Sequence, residues 1–458
     1  GRVDGAGGED GAVVGGKLAA AGPRRMAEPG REVAQDGRFR GGAGLHDGGG
    51  VGRGAGNDFQ RGRVVEYRFV LHKGGVYLKA GFWQSRPFMS EEIPSKAFAR
   101  REAAFRKRWF PAAAAADWVD WRWQLRHRAR TAAEFARVLA LSPRERRALA
   151  APASWRMPLA ATPYALSLLA AEAPDGPLRR TLIPDAREAR VGKGELRDPL
   201  GEAAHAVAPG LIRSYPHKAL LLATADCACF CRYCTRARTA GKSTCDNART
   251  DPYSDPDYAQ ALAWLRRTPE IRDVLVSGGD PLTLGDARLE RLLKALRAIP
   301  HIELIRIGTK IPAVLPQRVT PALARMLKQH RPLWMSLHFT HPSELTPRAA
   351  AACARLLDAG IPLMNQTVLL RGINDDLDTM RRLNEGLLKI GVKPYYLHQG
   401  DLAAGTAHLR STVAKGREIL RGLCGLTTGY AIPLFMFDRP GGGGKVPLGP
   451  VGTRKQRK

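Results

Sequence analysis

The sequence lacks several features that would assign it to a membrane or to a secreted protein. No run of about 18 apolar residues is present, so no membrane-spanning helix is predicted. The first residues are rich in glycine and mixed in charge, unlike a secretory signal. There are only seven cysteines, an odd number, and four fall close together. This argues against a disulfide framework and favours a reducing, cytoplasmic location.

Acidic residues are also few, because 43 Asp and Glu stand against 72 Lys and Arg and give a formal net charge of +29. Such a charge is compatible with an anionic partner such as nucleic acid. However, no block of basic residues with interleaved aromatics dominates, and the nearest are 100–108 and 454–458. A coding bias towards arginine, spread over the surface, is the favoured explanation, and nucleic acid is disfavoured as a partner.

Composition and pattern divide the chain into four parts. Residues 1–57 hold 19 of the 49 glycines and predict a disordered extension. We hypothesise that part of this extension is not translated in the cell, with Met26 or Met89 as the true start. The predicted parts are a disordered extension, a mostly helical region, a main domain, and a C-terminal segment with a basic tail, at 1–90, 91–210, 211–423 and 424–458.

From about residue 218 a short apolar run alternates with a helical pattern six times. Most repeats are about 30 residues apart, the length of a βαβ unit, which requires a mostly parallel sheet. We therefore predict an α/β fold with a partial TIM-like barrel, whose functional residues follow the carboxyl ends of the strands. The predicted strands are 219–224, 273–277, 304–308, 333–339, 362–370 and 393–398. The predicted helices are 257–267, 286–298, 320–329, 347–358, 377–389 and 413–422.

The first predicted strand is followed directly by four cysteines. Cys227, Cys231 and Cys234 have the spacing C-x3-C-x2-C, and Cys229 is an additional member. Thiolates this close in sequence can converge on one metal centre, as four ligands of a zinc knuckle or as three ligands of an iron–sulfur cluster with one iron left open. The two-residue spacing of Cys227 and Cys229 is awkward for one tetrahedral ion. The position after the first barrel strand favours the three-cysteine cluster.

A second distinctive segment is Asp438-Arg-Pro-Gly-Gly-Gly-Gly-Lys445, which follows an apolar run. A phosphate-binding P-loop fits poorly, because Arg439 replaces its first glycine and Val446 replaces the serine or threonine after the lysine. A flexible linker is the plainer alternative. A lysine on a backbone without neighbouring side chains can approach a planar cofactor. Its deprotonated amine can form a Schiff base with pyridoxal phosphate (PLP).

Both segments resemble those of a known family. The cysteine motif, with Tyr233 before its third cysteine, resembles the radical S-adenosylmethionine (SAM) superfamily, and the glycine–lysine segment resembles the lysine 2,3-aminomutase family within it. The resemblance runs from about residue 115 to residue 450. Further similar motifs begin with Arg213-Ser-Tyr-Pro, Cys234-Thr-Arg-Ala-Arg, Ser277-Gly-Gly-Asp-Pro, His338-Phe-Thr-His-Pro, Asn365-Gln-Thr-Val and Pro394-Tyr-Tyr-Leu-His.

The resemblance implies a partial (β/α)6 barrel with a helical N-terminal region and a C-terminal PLP-binding segment. It also implies three cofactors, namely a [4Fe–4S] cluster, SAM that chelates the fourth iron, and PLP. The implied cluster ligands are Cys227, Cys231 and Cys234. The implied SAM-binding residues are Gly278, Gly279, Asp280, His338 and Gln366. The implied PLP-binding residues are Lys445, the catalytic lysine, with Tyr215 and Lys218 near the phosphate. The implied substrate-binding residues are Arg236 for the carboxylate, and Asp401 and Asp438 for the distal ammonium of lysine.

The implied activity is that of an isomerase that interconverts L-lysine and L-β-lysine by 2,3-migration of the amino group. Its partners would be a small amino acid and an electron donor such as flavodoxin or ferredoxin, and a homo-oligomer is left open. One alternative is an aminomutase that acts on a protein-bound lysine of a translation factor, or on glutamate or arginine. Another, from a different class, is a basic metal-cluster protein that binds nucleic acid.

Overall fold

The structure is a computed structural model that describes residues 65–72, 75–82, 95–152, 157–241 and 258–449. The proposed starts Met26 and Met89, the basic tail and Cys245 lie outside these residues.

Two strands form a unit by themselves within the predicted extension. β1 (Val65–His72) pairs in antiparallel fashion with β2 (Gly75–Phe82). The sequence predicts disorder over the whole of 1–90, so the structure differs from that prediction over these two strands. The physical reason is the alternation of apolar and polar residues from Val65 to Phe69, a strand pattern that the glycine-rich composition around it concealed.

Helices occupy most of the chain between residues 95 and 182. Several begin where a hydroxyl side chain caps the first turn: Thr131, Ser142 and Thr162 each accept a hydrogen bond from the backbone N–H three residues on. The helices are α1 (Ser95–Trp109), α2 (Ala115–Val119), α3 (Trp121–Arg126), α4 (Ala132–Val138), α5 (Pro143–Leu149), α6 (Pro163–Leu169) and α7 (Arg179–Leu182). No helix in the described part of the chain is both long and apolar enough to cross a membrane.

Ten strands between residues 206 and 447 form one sheet. They are β3 (Ala206–Ala208), β4 (Leu211–Ile212), β5 (Lys218–Thr224), β6 (Asp273–Gly278), β7 (Leu304–Thr309), β8 (Leu333–Leu337), β9 (Leu363–Leu369), β10 (Lys393–Gln399), β11 (Leu434–Asp438) and β12 (Lys445–Pro447). The strands follow one another in space in chain order, from β3 at one end to β12 at the other. β5 to β11 are parallel, whereas the pairs at both ends are antiparallel.

A helix follows each of the strands β5 to β10, which gives six βα units. These helices are α8 (Ala259–Arg266), α9 (Asp286–Arg297), α11 (Pro321–Lys328), α12 (Pro347–Asp358), α13 (Leu377–Lys389) and α14 (Val413–Leu423), with the short α10 (Ile311–Val314) before α11. The predicted α/β partial barrel is confirmed, and its strand and helix bounds agree with the predicted ones to within two residues.

Alternation along the strands sets which side chains face the helices. In β7, Ile305 and Ile307 are fully buried, whereas Arg306 and Gly308 are half-buried and line cavities. Successive residues of a strand point to opposite faces. The apolar set therefore packs under the helices, and the other set projects into the barrel, where the cavities lie.

Candidate active site

One cavity opens at the carboxyl ends of the parallel strands, and the three cysteines of the predicted cluster line it. Cys227, Cys231 and Cys234 lie in the loop that follows β5. Arg232, within this loop, is fully buried and pairs with the buried carboxylate of Glu188. Such a pair holds the loop in one conformation, because separating its partners would leave an uncompensated buried charge.

The chemistry of these thiols fits a soft metal centre. Burial raises the pKa of Cys227 well above its usual range, and Asp280 and the neighbouring thiols add to the shift. Burial also raises the pKa of Cys231 to about 11. Thiols in this state carry their protons at neutral pH, and iron would displace those protons on binding. Thiolate sulfur is the ligand that iron–sulfur clusters use.

Among the residues that the structure describes, no three His, Cys, Asp or Glu side chains converge as ligands of one metal ion. A cubane cluster does not require such convergence, because its three thiolates bind three different iron atoms. Cys229 is buried within the main hydrophobic core, and burial raises its pKa to about 12. Cys229 also lines the cavity, so the three-cysteine set stays a prediction that rests on the C-x3-C-x2-C spacing.

Two glycines form the wall of the cavity at the end of β6. A Cβ on Gly278 would lie 2.4 Å from the carbonyl oxygen of Thr224, and one on Gly279 would lie 2.2 Å from that of Asp226. Gly278 also has a φ of +118°, which L side chains rarely adopt. Any larger residue would push the ends of β5 and β6 apart, so the wall requires glycine at both positions.

Asp280 follows these glycines, and its buried carboxylate makes hydrogen bonds with residues at the end of β7. Its carboxylate accepts hydrogen bonds from the Thr309 hydroxyl (2.7 Å) and from the Lys310 N–H (2.7 Å). Burial raises its pKa to about 6. These bonds connect the end of β6 to the end of β7. Asp280 therefore lines the cavity while its acceptor capacity is largely used within the protein.

Two predicted SAM-binding residues lie further along the sheet, His338 directly after β8 and Gln366 within β9. The imidazole of His338 is 2.8 Å from the Tyr233 hydroxyl, and burial lowers the pKa of His338 well below its usual range. Gln366 Oε1 is 3.2 Å from His398 Nε2, and burial lowers the pKa of His398 to about 3. Both histidines are thus neutral. His398 also lines the cavity, and sequence reasoning missed it as a site residue.

A second cavity contains the predicted catalytic lysine. The register of β11 and β12 places Asp438 directly opposite Lys445, and the amine lies 2.5 Å from the carboxylate. The Lys445 N–H donates to the Tyr215 hydroxyl at 3.0 Å. Lys218 lies over the Tyr215 ring, with its amine 3.8 Å from the ring centre. The predicted PLP residues therefore come together around one cavity.

Several cations converge on this second cavity. Burial lowers the pKa of Lys218, and the charges of Arg306 and Lys445 lower it further. Arg439 lines the same cavity. Asp273 and Asp438, which pair with Arg306 and Lys445, offset part of this repulsion. An anion would relieve the remainder, so the cavity suits a phosphate group. Sequence reasoning did not assign a role to Arg306, although it alternates with buried isoleucines in β7.

The glycine loop between β11 and β12 packs closely on an earlier part of the chain. A Cβ on Gly442 would lie 2.2 Å from the His205 ring, and one on Gly201 would lie 2.6 Å from the Gly441 backbone. Gly441 and Gly442 both have positive φ values. Glycine is thus needed here for close approach between this loop and the turn around residues 198–205, as well as for its own turn.

Arg236 is the residue that the two cavities share. Its guanidinium contacts the buried carboxylate of Glu202 through Nε (2.8 Å) and Nη2 (2.7 Å). Its Nη1 reaches towards Ser277 Oγ and the Gly278 carbonyl at 3.5 and 3.4 Å. Sequence reasoning missed Glu202, which lies before the barrel and belongs to none of the assigned motifs.

The two predicted substrate aspartates differ in their partners. Asp438 pairs with Lys445, whereas the Asp401 Oδ1 is shielded from solvent and accepts no hydrogen bond from the described part of the chain. Burial raises the pKa of Asp401 to about 7, and the charge of Asp438 contributes. Asp401 lines the cysteine cavity and Asp438 lines the lysine cavity. An unmet acceptor with a raised pKa fits a cationic ligand group.

A partial barrel with three thiols at the carboxyl ends of its strands is the arrangement of a radical SAM protein. In agreement, the sequence model described as the radical SAM superfamily matches residues 221–383. This class implies SAM and a [4Fe–4S] cluster as cofactors.

The particular family follows from the C-terminal hairpin and from relatives. A sequence model described as lysine-2,3-aminomutase matches residues 420–454. The L-lysine 2,3-aminomutase of Clostridium subterminale is 46% identical over 336 residues, which cover 73% of this chain and 79% of that protein. That of Fusobacterium nucleatum is 45% identical over 345 residues, with coverage of 75% and 80%. The glutamate 2,3-aminomutase of Clostridioides difficile is 39% identical over 334 residues, with coverage of 73% and 77%. The chain belongs to the lysine 2,3-aminomutase family.

The predicted family is thereby confirmed, and so is the prediction of an isomerase. The alternative class, a metal-cluster protein that binds nucleic acid, is set aside. The roles of individual residues stay predictions.

We predict that Gly279→Ala lowers the free energy of unfolding by about 1–3 kcal/mol, because the added methyl overlaps backbone atoms that cannot move alone. Gly285→Ala is the matched control, since a Cβ there meets nothing within 4 Å. It should cost less than about 1 kcal/mol through a weaker helix cap. Urea unfolding and calorimetric SAM binding to the cluster-loaded proteins measure both effects, and SAM affinity should fall only for Gly279→Ala. Equal effects of the two variants would contradict the role of Gly279.

Proposed function

We propose that the chain is an aminomutase that interconverts L-lysine and L-β-lysine by moving the amino group between C2 and C3, with a [4Fe–4S] cluster, SAM and PLP as cofactors. The observation that carries this proposal is that Arg236 lines both the cavity of the three thiols and the cavity of Lys445. Guanidinium groups bind carboxylates with two parallel hydrogen bonds. An amino acid held there by its carboxylate would have its C2 and C3 within reach of both cavities.

The residues around Lys445 fit PLP. When bound, SAM and the cluster would supply a carbon-centred radical, and PLP would supply a carbonyl and a π-system that delocalises an unpaired electron. Lys445 must lose a proton before it can act as a nucleophile, and the Asp438 carboxylate at 2.5 Å can accept that proton. Tyr215 holds the Lys445 backbone. Lys218 and Arg306 supply positive charge for a phosphate.

The acidic residues favour lysine as the substrate. Asp401 has an unmet acceptor oxygen, and Asp438 would need a new cation whenever Lys445 is engaged elsewhere. A distal ammonium satisfies both carboxylates, whereas the distal carboxylate of glutamate would be repelled by them. A protein-bound lysine has no free carboxylate to pair with Arg236. These charges therefore favour free L-lysine over glutamate and over a lysine within a translation factor.

We predict that protein reconstituted without oxygen with iron, sulfide, PLP, SAM and dithionite converts L-lysine to β-lysine. Arginine, glutamate and an intact translation factor should react at least about tenfold more slowly, because each leaves a charged group of the site unpaired. Chromatography of the products measures this. As a control, Lys445→Ala should still cleave SAM but form no β-lysine, while Cys231→Ala should do neither. Preferred turnover of glutamate would contradict the proposed substrate.

We predict that kcat/KM for L-lysine rises with pH from about 6 to 8, because Asp401, with a pKa of about 7, becomes negatively charged and attracts the distal ammonium. Asp401→Asn should remove this step from the pH profile and lower kcat/KM. The ionisation of Asp401 has the opposite effect on stability, which decreases as the pH rises. The folded carboxyl has a pKa above its usual 3.8, so its contribution to the unfolding free energy falls as the pH rises from about 4 to 7. An unchanged profile in the variant would count against Asp401.

A further inference from the structure

Glu202 has a buried carboxylate that lies between Arg236 and Arg238. Both arginines belong to the loop after β5 that contains Cys227, Cys231 and Cys234, which we call the cysteine loop. Glu202 is 3% exposed and precedes β3 in the chain. Its Oε1 accepts hydrogen bonds from Arg236 Nε and Nη2 at 2.8 and 2.7 Å, and its Oε2 lies 3.2 Å from Arg238 Nη2. Arg238 also lies 3.1 Å from Asp198. Two guanidinium groups around one carboxylate offset the cost of burying it.

The contact with Glu202 fixes which edge of the Arg236 guanidinium faces the cavities. Glu202 takes the side edge, formed by Nε and Nη2. The Nη1 end lies 3.5 Å from Ser277 Oγ and 3.4 Å from the Gly278 carbonyl oxygen, and both of these contacts are long. Hydrogen bonds of this type are strongest near 2.9 Å, so these contacts are weak and readily exchanged for a carboxylate. Charge-assisted bidentate bonds are much stronger.

Glu202 also belongs to the turn that packs against the glycine loop. The contacts of Gly201 with Gly441 and of Gly442 with His205 leave no room for a Cβ at Gly201 or at Gly442. Glu202 is thus anchored beside the loop that leads to Lys445 and, through Arg236, beside the cysteine loop. By holding Arg236, the Glu202 carboxylate can fix the position of the substrate carboxylate relative to both cavities.

We propose that Glu202 is a positioning residue that holds the Arg236 guanidinium so that its Nη1–Nη2 end receives the carboxylate of the amino-acid substrate. This inference rests on the proposed function, because it requires Arg236 to bind that carboxylate. Glu202 itself acts only through Arg236. Its loss should therefore weaken substrate binding more than it slows the reaction of bound substrate, since a substrate that does bind still meets the same reacting groups.

The test measures the Kd of L-lysine by calorimetry with PLP- and cluster-loaded protein in the absence of SAM, so that no turnover occurs. Glu202→Gln keeps the shape but loses the charge, and should raise Kd about fivefold, whereas Glu202→Ala should raise it more than about tenfold. KM should rise in the same order, with kcat within about threefold of its original value. Arg238→Gln is the matched control, because it removes the other partner of Glu202 but does not line either cavity, and should leave Kd within about twofold.

Two further measurements separate positioning from a general structural role. L-lysinamide, which has no carboxylate, should bind wild type and Glu202→Gln equally well, and this comparison holds even if Glu202→Ala fails to fold. In the Arg236→Gln background, Glu202→Gln should cause no further increase in Kd. Additive effects of the two substitutions, or an equal loss of lysinamide binding, would overturn the proposal. If wild type neither binds nor converts L-lysine, the proposed function fails instead.

Discussion

The parallel pairing of β5 to β11 is the constraint on which the site depends. Parallel strands end on the same side of a sheet, so loops that are far apart in sequence meet at one edge. The cysteine loop after β5, the glycines at the end of β6 and His338 after β8 line one cavity for this reason. The antiparallel return of β12 then carries Lys445 back beside Asp438. Arg236 is the side chain at which the two cavities meet.

Local chemistry explains why the sequence predicts so much of this fold. The βα repeat, the apolar runs and the helix caps are properties of neighbouring residues, and they locate the strands and helices closely. The cysteine spacing and the glycine–lysine segment are similarly local. The β1–β2 hairpin was missed because the surrounding glycine content masked a short alternation of apolar residues. Composition averaged over a long window hides an alternation that occupies only about five residues, from Val65 to Phe69.

Contacts that depend on tertiary packing could not be read from the sequence. Glu202 is 34 residues from Arg236 in the chain, and Gln366 is 32 from His398, so no local spacing links them. The glycines of the loop between β11 and β12 also allow it to pack closely on the turn around residues 198–205, and only the fold reveals this contact. A segment that precedes the barrel thus helps to build the site, and this is why motif reasoning confined to the barrel missed it.

We propose that one bound amino acid contacts both cavities. The most direct measurement uses L-lysine that carries deuterium at C3 and follows the label by mass spectrometry after reaction with SAM in the reconstituted protein. We predict deuterium in 5′-deoxyadenosine and at C2 of β-lysine, because hydrogen would leave C3 for the radical and return to C2 of the product. Formation of β-lysine together with 5′-deoxyadenosine that contains no deuterium would contradict a shared site.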